Sequence, residues 1–267
     1  MTLLEATGLT VRYGGVLANT DVTLHVGAGE VVGLIGPNGA GKTTFVDAVT
    51  GFTAARGTVT LAGRRLDGLP PHARRRAGLA RTWQAGELFG DLTVRQNVAV
   101  AAARGPLRNL WSDLTGRAAR TGDVDAALEM FGLQFVADRR PGELSLGRQK
   151  IVGVARALAG GTRAVLLDEP AAGLDTDESA EFGGHVRAIA AAGLGVLLID
   201  HDMNLVFDVC DRVYVLDYGA VIAAGTPREV RADPAVRTAY LGAPAEAGTP
   251  PEAGTPPEAG APQEVPS

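Results

Sequence analysis

Gly36-Pro37-Asn38-Gly39-Ala40-Gly41-Lys42-Thr43 is the stretch on which the reading of this chain turns. It fits in full the pattern of a glycine-rich turn that closes on a lysine and a hydroxyl residue. The apolar run Val31–Ile35 precedes it, and Thr43–Val49 reads as a helix that Gly51 is placed to stop. Glycines let consecutive backbone N–H groups turn inward around phosphate oxygens, and the helix start adds its positive end. Lys42 then suits the β and γ phosphates of a nucleotide, and the Thr43 hydroxyl suits Mg²⁺. The candidate nucleotide contacts are Gly36, Pro37, Asn38, Gly39, Ala40, Gly41, Lys42, Thr43 and Thr44. The competing reading is a glycine-rich turn with a solvated lysine. Composition weighs against it: of 25 basic residues, only Lys42 and Lys150 are lysines, and the rest are arginines.

The second half of such a site is an acid at the end of a neighbouring buried strand. Val165-Leu166-Leu167-Asp168-Glu169 supplies it. Asp168 is the candidate Mg²⁺ ligand, and Glu169 is placed to orient or deprotonate an attacking water. Two acids at a strand end are also common as solvated loop acids, so the pair gains its meaning from the phosphate loop upstream. Together they indicate a nucleotide hydrolase or transferase.

Outward from this centre the chain divides into regions. Leu3–Val11, Val22–Val26 and Val31–Ile35 read as strands separated at Gly14-Gly15 and at Gly27-Ala28-Gly29. Thr58–Leu61 is another strand. Between about 90 and 160 the period becomes helical, with Val124, Ala127, Leu128 and Phe131 on one face. Ala164–Leu167 and Val196–Ile199 are continuous apolar runs of the kind buried parallel strands show, joined by a helix marked by Phe182, Val186 and Ile189. Arg212–Leu216 and Val221–Ala224 flank the hairpin turn Asp217-Tyr218-Gly219-Ala220. Thr226-Pro227-Arg228-Glu229 carries a cap, a first-turn proline and a capping-box acid, so a last helix starts there.

Residues 243–267 are a six-residue repeat of Pro, Glu, Ala and Gly with almost nothing to bury, and disorder is expected there. Their four acids account for most of the formal charge of −5, leaving the body at −1. The acidity therefore says nothing for or against a basic binding face. A hydrophobic share of 46% over 267 residues excludes a wholly disordered protein. The lone Cys210 cannot form an intrachain disulfide and fits a reducing compartment. Met1 to Tyr13 has no signal-peptide pattern, and no apolar run approaches the roughly 18 residues needed to span a bilayer.

Further motifs, in order, resemble those of the ATP-binding subunits of ABC transporters over residues 3–242. Leu144-Ser145-Leu146-Gly147-Arg148-Gln149 is similar to the signature sequence, and Gln84 in Arg81-Thr82-Trp83-Gln84 to the Q-loop glutamine. Ala172-Gly173-Leu174-Asp175 resembles the D-loop, and His201 in Ile199-Asp200-His201-Asp202 the switch histidine. Tyr13 stands where the family has an aromatic that stacks on adenine. Alone, each motif has a plainer reading: Ser145 a helix cap, His201 an inert loop histidine, Tyr13 packing.

The resemblance implies an α/β fold of the P-loop NTPase, ABC-type ATPase kind. Its mixed β core would carry a helical signature subdomain (about 88–160) and an antiparallel β subdomain within residues 1–242. It implies catalytic roles for Glu169, His201, Gln84 and Lys42. Nucleotide contacts would extend to Tyr13, Ser145, Gly147 and Asp175, and Mg²⁺ would be held by Thr43, Gln84 and Asp168. Two departures stand out: Leu146 where the family most often has glycine, and Arg148 where it most often has glutamine. Bulky residues at the first occur in the family's amino acid importers. Arg148 could pair with phosphate or weaken the signature, in either case in the opposite subunit's ATP site.

The stretch from Asp200-His201-Asp202-Met203-Asn204 through Ala239-Tyr240-Leu241-Gly242 is most similar to importers of branched-chain amino acids. Urea and amide importers share it, and the lipopolysaccharide exporter ATPase does to a lesser extent. What this implies is a peripheral subunit on the cytoplasmic side of the membrane, working with a second ATPase subunit in a heterodimer. Two multi-span permeases and, indirectly, a periplasmic or lipid-anchored solute-binding protein complete the assembly. A soluble ABC ATPase of nucleic-acid or assembly machines is the other-class alternative; a phosphate-loop kinase leaves the signature and His201 unexplained. Arg64, Arg65, Arg74, Arg75, Arg76 and Arg81 read as a solvated face, since aromatics for stacking on nucleic acid are sparse there. No nucleic-acid partner is expected. His25, His72 and His185 have no metal-ligand spacing and read as structural.

Overall fold

Val31–Ile35 (β3), Ala164–Asp168 (β7) and Gly195–Ile199 (β8) are buried along their whole length, as apolar strands covered on both faces must be. In the computed structural model, which describes residues 2–82, 88–102 and 121–241, they form the centre of a six-stranded sheet. Leu79–Arg81 (β6) flanks them on one side and Arg212–Asp217 (β9) with Ala220–Gly225 (β10) on the other, giving the order β10-β9-β3-β8-β7-β6. All pairings are parallel except that of the β9–β10 hairpin. Alternate side chains serve two cores. Val31, Ile35, Val165, Leu167, Val196 and Leu198 face the helical layer, whereas Val32, Leu34, Leu166, Leu197 and Ile199 face the β layer.

That second layer is an antiparallel sheet of Thr2–Tyr13 (β1), Val16–Gly27 (β2), Arg56–Leu61 (β4) and Arg64–Arg65 (β5), ordered β2-β1-β4-β5. The helix Lys42–Thr50 (α1) packs in the same core through Phe45, Val46 and Val49. The first two strands are longer than their hydrophobic alternation suggests. Register shifts around Ala6, Leu9 and Val11 break the two-residue period that sequence reading relies on.

The helical layer comprises Val94–Ala102 (α3), Thr121–Met130 (α4), Leu146–Leu158 (α5), Thr176–Ala191 (α6) and Met203–Val209 (α7). Val124, Ala127, Leu128 and Phe131 are buried together, as their spacing predicts. The described residues end in two short helices where one was expected, Pro227–Ala232 (α8) and Pro234–Leu241 (α9). Thr226 and Glu229 form the capping box of the first, and it stops at Asp233 because Pro234 cannot continue it.

The arginine cluster is not a solvated face. Arg64, Arg65 and Arg76 are exposed, but the rest of the set turns inward. Arg74, on the helix Pro71–Ala77 (α2), donates from Nη1 to the carbonyls of Ala48 (2.9 Å) and Val49 (2.7 Å) and from Nε to that of Leu69 (3.0 Å). It thereby satisfies the last-turn carbonyls of the phosphate-loop helix. Arg75 reaches the Ala159 carbonyl beyond α5, and Arg81 is ion-paired beneath the site. Arg74→Ala should therefore cost about 2 kcal/mol, since buried hydrogen bonds to a charged donor are lost. Urea denaturation checks this, and a loss below about 0.5 kcal/mol, the level of an ordinary surface change, contradicts the account.

Candidate functional site

Because β3, β8 and β7 are adjacent and parallel, the segments that follow them emerge at one sheet edge: the phosphate loop, His201, and Asp168 with Glu169. The turn of the β9–β10 hairpin joins them, and Gly219 N donates to the Ala40 carbonyl at 3.0 Å. Together they enclose a cleft of about 440 Å³ lined by Asn38 to Thr44, Glu169, His201, Gly219 and Tyr218.

Within the loop, Gly41 is left-handed (φ 99°) and precedes α1, whose first-turn N–H groups lack intrahelical acceptors, and Lys42, Thr43 and Thr44 of that turn line the cleft. The Lys42 ammonium folds back onto the carbonyls of Gly36 (2.6 Å) and Pro37 (3.0 Å). Burial pulls its pKa below the usual lysine value, while Glu169 and then Asp168 oppose that shift. Thr43 is exposed in the cleft, and Ala40 is buried beneath it.

Asp168 is the last residue of β7 and is 4% exposed. Its Oδ2 accepts from Arg81 Nη2 at 2.8 Å, and the other arm of Arg81 holds Asp47 of α1. Glu169 Oε1 lies 2.8 Å from His201 Nε2, and the Glu169 backbone is left-handed (φ 49°), a conformation a non-glycine residue keeps only when its surroundings impose it. Asp168 opens onto a neighbouring cavity of about 610 Å³ rather than the phosphate cleft, and Glu169 lines both. The hard oxygens of Thr43 and Asp168 are the donor type Mg²⁺ takes.

The other predicted residues lie elsewhere. Ser145 caps α5, accepting from Arg148 N at 3.4 Å, and Gly147 packs against Glu178. Asp175 caps α6 in a capping box with Glu178. These three form a surface separate from the phosphate cleft of the same chain. Tyr13, at the end of β1, is half-exposed with its hydroxyl 3.2 Å from Thr53 Oγ1 and is not among the residues lining the cleft; Tyr218 and Leu17 are. Gln84 falls outside the described residues. Sequence reading gave no role to Arg81 as a partner of Asp168, to Tyr218 or to Asp200. Arg81 meets Asp168 across 87 residues and Asp200 meets Ala171 across 29, while Tyr218 reaches the cleft through the hairpin turn, so no local pattern marks these roles.

A glycine-rich loop capping a helix, with a lysine, two acids and a histidine at one edge of a parallel sheet, defines a phosphate-loop nucleotide hydrolase. The sequence profile of the ABC transporter family matches residues 19–172, and that of the branched-chain amino acid ATP-binding cassette transporter matches residues 220–246. The chain is 41% identical over 249 residues to the high-affinity branched-chain amino acid transport ATP-binding protein LivG of Salmonella typhimurium, covering 90% of this chain and 98% of that protein. It is 39% identical to BraF of Pseudomonas aeruginosa with the same coverage, and 36% identical to the lipopolysaccharide export ATP-binding protein LptB of Haemophilus influenzae, covering 91% and 98%. Among solved structures it resembles the ADP conformation of MJ1267, an ATP-binding cassette of an ABC transporter, with a TM-score of 0.78, 30% identity, and 91% and 99% coverage. The chain belongs to the ABC transporter family, as an ATP-binding and ATP-hydrolysing subunit with the P-loop, ABC-type fold.

Proposed function

We propose that this subunit powers uptake of branched-chain amino acids across the cytoplasmic membrane. The match of residues 220–246 to the branched-chain amino acid cassette carries the reading, and identity to LivG and BraF above that to LptB supports import over export. In this reading separate permeases cross the bilayer and this subunit docks on them from the cytoplasmic side; among the described residues no helix is long and apolar enough to cross a membrane. The 610 Å³ cavity is the permease groove: Phe52 and Phe89 are half-exposed in it, and Thr82 and Phe89 bracket the segment containing Gln84.

Residues 1–242 form the ATPase, and 243–267 are an appended tail. The subunit pairs with a second, different ATPase subunit, so that the helix led by Ser145 closes on the opposite subunit's ATP while Lys42 holds its own. Thr43, Asp168 and Gln84 hold Mg²⁺, whose charge would offset that of the β and γ phosphates. Lys42 adds its charge beside it, Glu169 takes the proton of the attacking water, and His201 orients Glu169 and the γ-phosphate. A solute-binding protein delivers cargo on the far side. Affinity purification of the full chain should recover two multi-span permeases, and in vesicles leucine with its binding protein should raise ATPase activity several-fold. Recovery of a soluble nucleic-acid complex, or stimulation by urea or lipopolysaccharide instead of leucine, would overturn this assignment.

A further inference from the structure

Asp200 ends the apolar run of β8 and reads in sequence as a turn acid ahead of the switch histidine. In the fold it is 4% exposed, and its carboxylate accepts three backbone N–H groups. Oδ1 accepts from His201 at 2.7 Å and Asp202 at 3.0 Å, and Oδ2 accepts from Ala171 at 2.9 Å. The first two bonds are local and any strand-end aspartate could make them. The third is not: Ala171 lies 29 residues away, in the loop that runs from Glu169 to Asp175.

The Glu169 loop is held again where Glu169 N donates to the carbonyl of Ile199, the last residue of β8, at 2.7 Å. Both clamps bear on Glu169, the residue whose left-handed backbone needs external support. On the far side, Asp202 Oδ2 accepts from Ser179 Oγ at 2.9 Å, tying the switch loop to α6. Lys150, the chain's second lysine, projects from the signature helix α5. Its burial lowers its pKa, while Asp200 first and then Glu169 act to raise it.

We infer that Asp200 is a positioning residue for hydrolysis: its carboxylate joins the Glu169 loop to the His201 loop and so sets the 2.8 Å Glu169–His201 contact before nucleotide arrives. The inference rests on the roles proposed above for Glu169 and His201. It assigns Asp200 an effect on the chemical step and none on nucleotide binding, because its hydrogen bonds among the described residues go to Ala171, His201 and Asp202 and not to the phosphate loop.

The test is Asp200→Asn in the full-length chain. Both carboxylate oxygens accept N–H bonds, so in either orientation the amide sets its own N–H₂ against a backbone donor. Turnover at saturating ATP should fall at least about ten-fold, with KM for ATP and the affinity for a fluorescent non-hydrolysable analogue within about two-fold of wild type. Ser179→Ala, which removes the adjacent Ser179–Asp202 bond, should keep at least about half the wild-type rate. Wild-type turnover in Asp200→Asn overturns the inference. So does equal damage by Ser179→Ala, or turnover and affinity falling together in a misfolded Asp200→Asn, which would make the role purely structural. Glu169→Gln separates the layers: if it turns over normally, the roles beneath the inference fail. If it is inactive while Asp200→Asn is not, only the inference fails.

Discussion

Glu169→Gln should bind ATP as the wild type does and lose turnover by about two to four orders of magnitude, the range a positioned general base contributes. The amide keeps the size of the side chain and can still meet His201 Nε2, now 2.8 Å from Oε1. It keeps the clamp from Glu169 N to the Ile199 carbonyl, so the loop stays in place. What it loses is a group able to take a proton from water. Lys42 loses one of the two carboxylates that support its charge but retains Asp168, so the phosphate contacts survive. ATP should then hold the paired subunits closed, because closure needs binding and reopening needs hydrolysis. Single-turnover phosphate release and size-exclusion chromatography with ATP read the two halves. Release at the wild-type rate would contradict the assignment of Glu169.

The centre of this fold was legible because its signals are local. Three apolar runs of four or five residues, each in a strand buried along its whole length, have no other reading as clear as a parallel sheet. A lysine in a chain that otherwise uses arginine marks itself. The order β3-β8-β7 was not legible, since it depends on pairings such as Val32 with Leu197 and Leu167 with Leu198, between segments far apart in the chain. That order is what brings Glu169 to His201.

The arginines show the limit from another side. A run of charges reads as solvated because that is its commonest fate, yet Arg74 and Arg81 are inside. A guanidinium spreads its charge over a planar fork and meets carbonyls and carboxylates in several directions, so it caps a helix and bridges two aspartates at little exposed surface. Nothing in Arg74-Arg75-Arg76 says which one turns inward; α2 decides that by its rotation against α1. For Cys210 composition said only that it cannot form an intrachain disulfide; its burial is a property of the fold. Burial pushes its thiol up to about 12, so it is inert, as a lone interior cysteine should be.

Gly36→Ala should abolish tight ATP binding and lower the melting temperature on the order of 10 °C, given overpacking near 3 kcal/mol and a domain of this size. A Cβ built on Gly36 would stand 2.1 Å from the Leu216 carbonyl oxygen, which is backbone and cannot rotate away. Its φ of 153° adds strain for any side-chain-bearing residue. Relief requires β3 and β9 to part where Ile35 pairs with Val215, and that is the point from which the loop springs. The Gly36 carbonyl also receives the Lys42 ammonium at 2.6 Å, so a shift there moves the cation proposed to meet the phosphates. Gly39→Ala is the matched control. No atom lies within 4 Å of a Cβ there, so only its left-handed backbone is strained, and the melting temperature should fall by a few degrees. Differential scanning calorimetry and nucleotide titration of the two variants separate crowding at the β9 backbone from loss of glycine freedom. Equal damage from both would show that freedom, and not contact with Leu216, is what the loop requires.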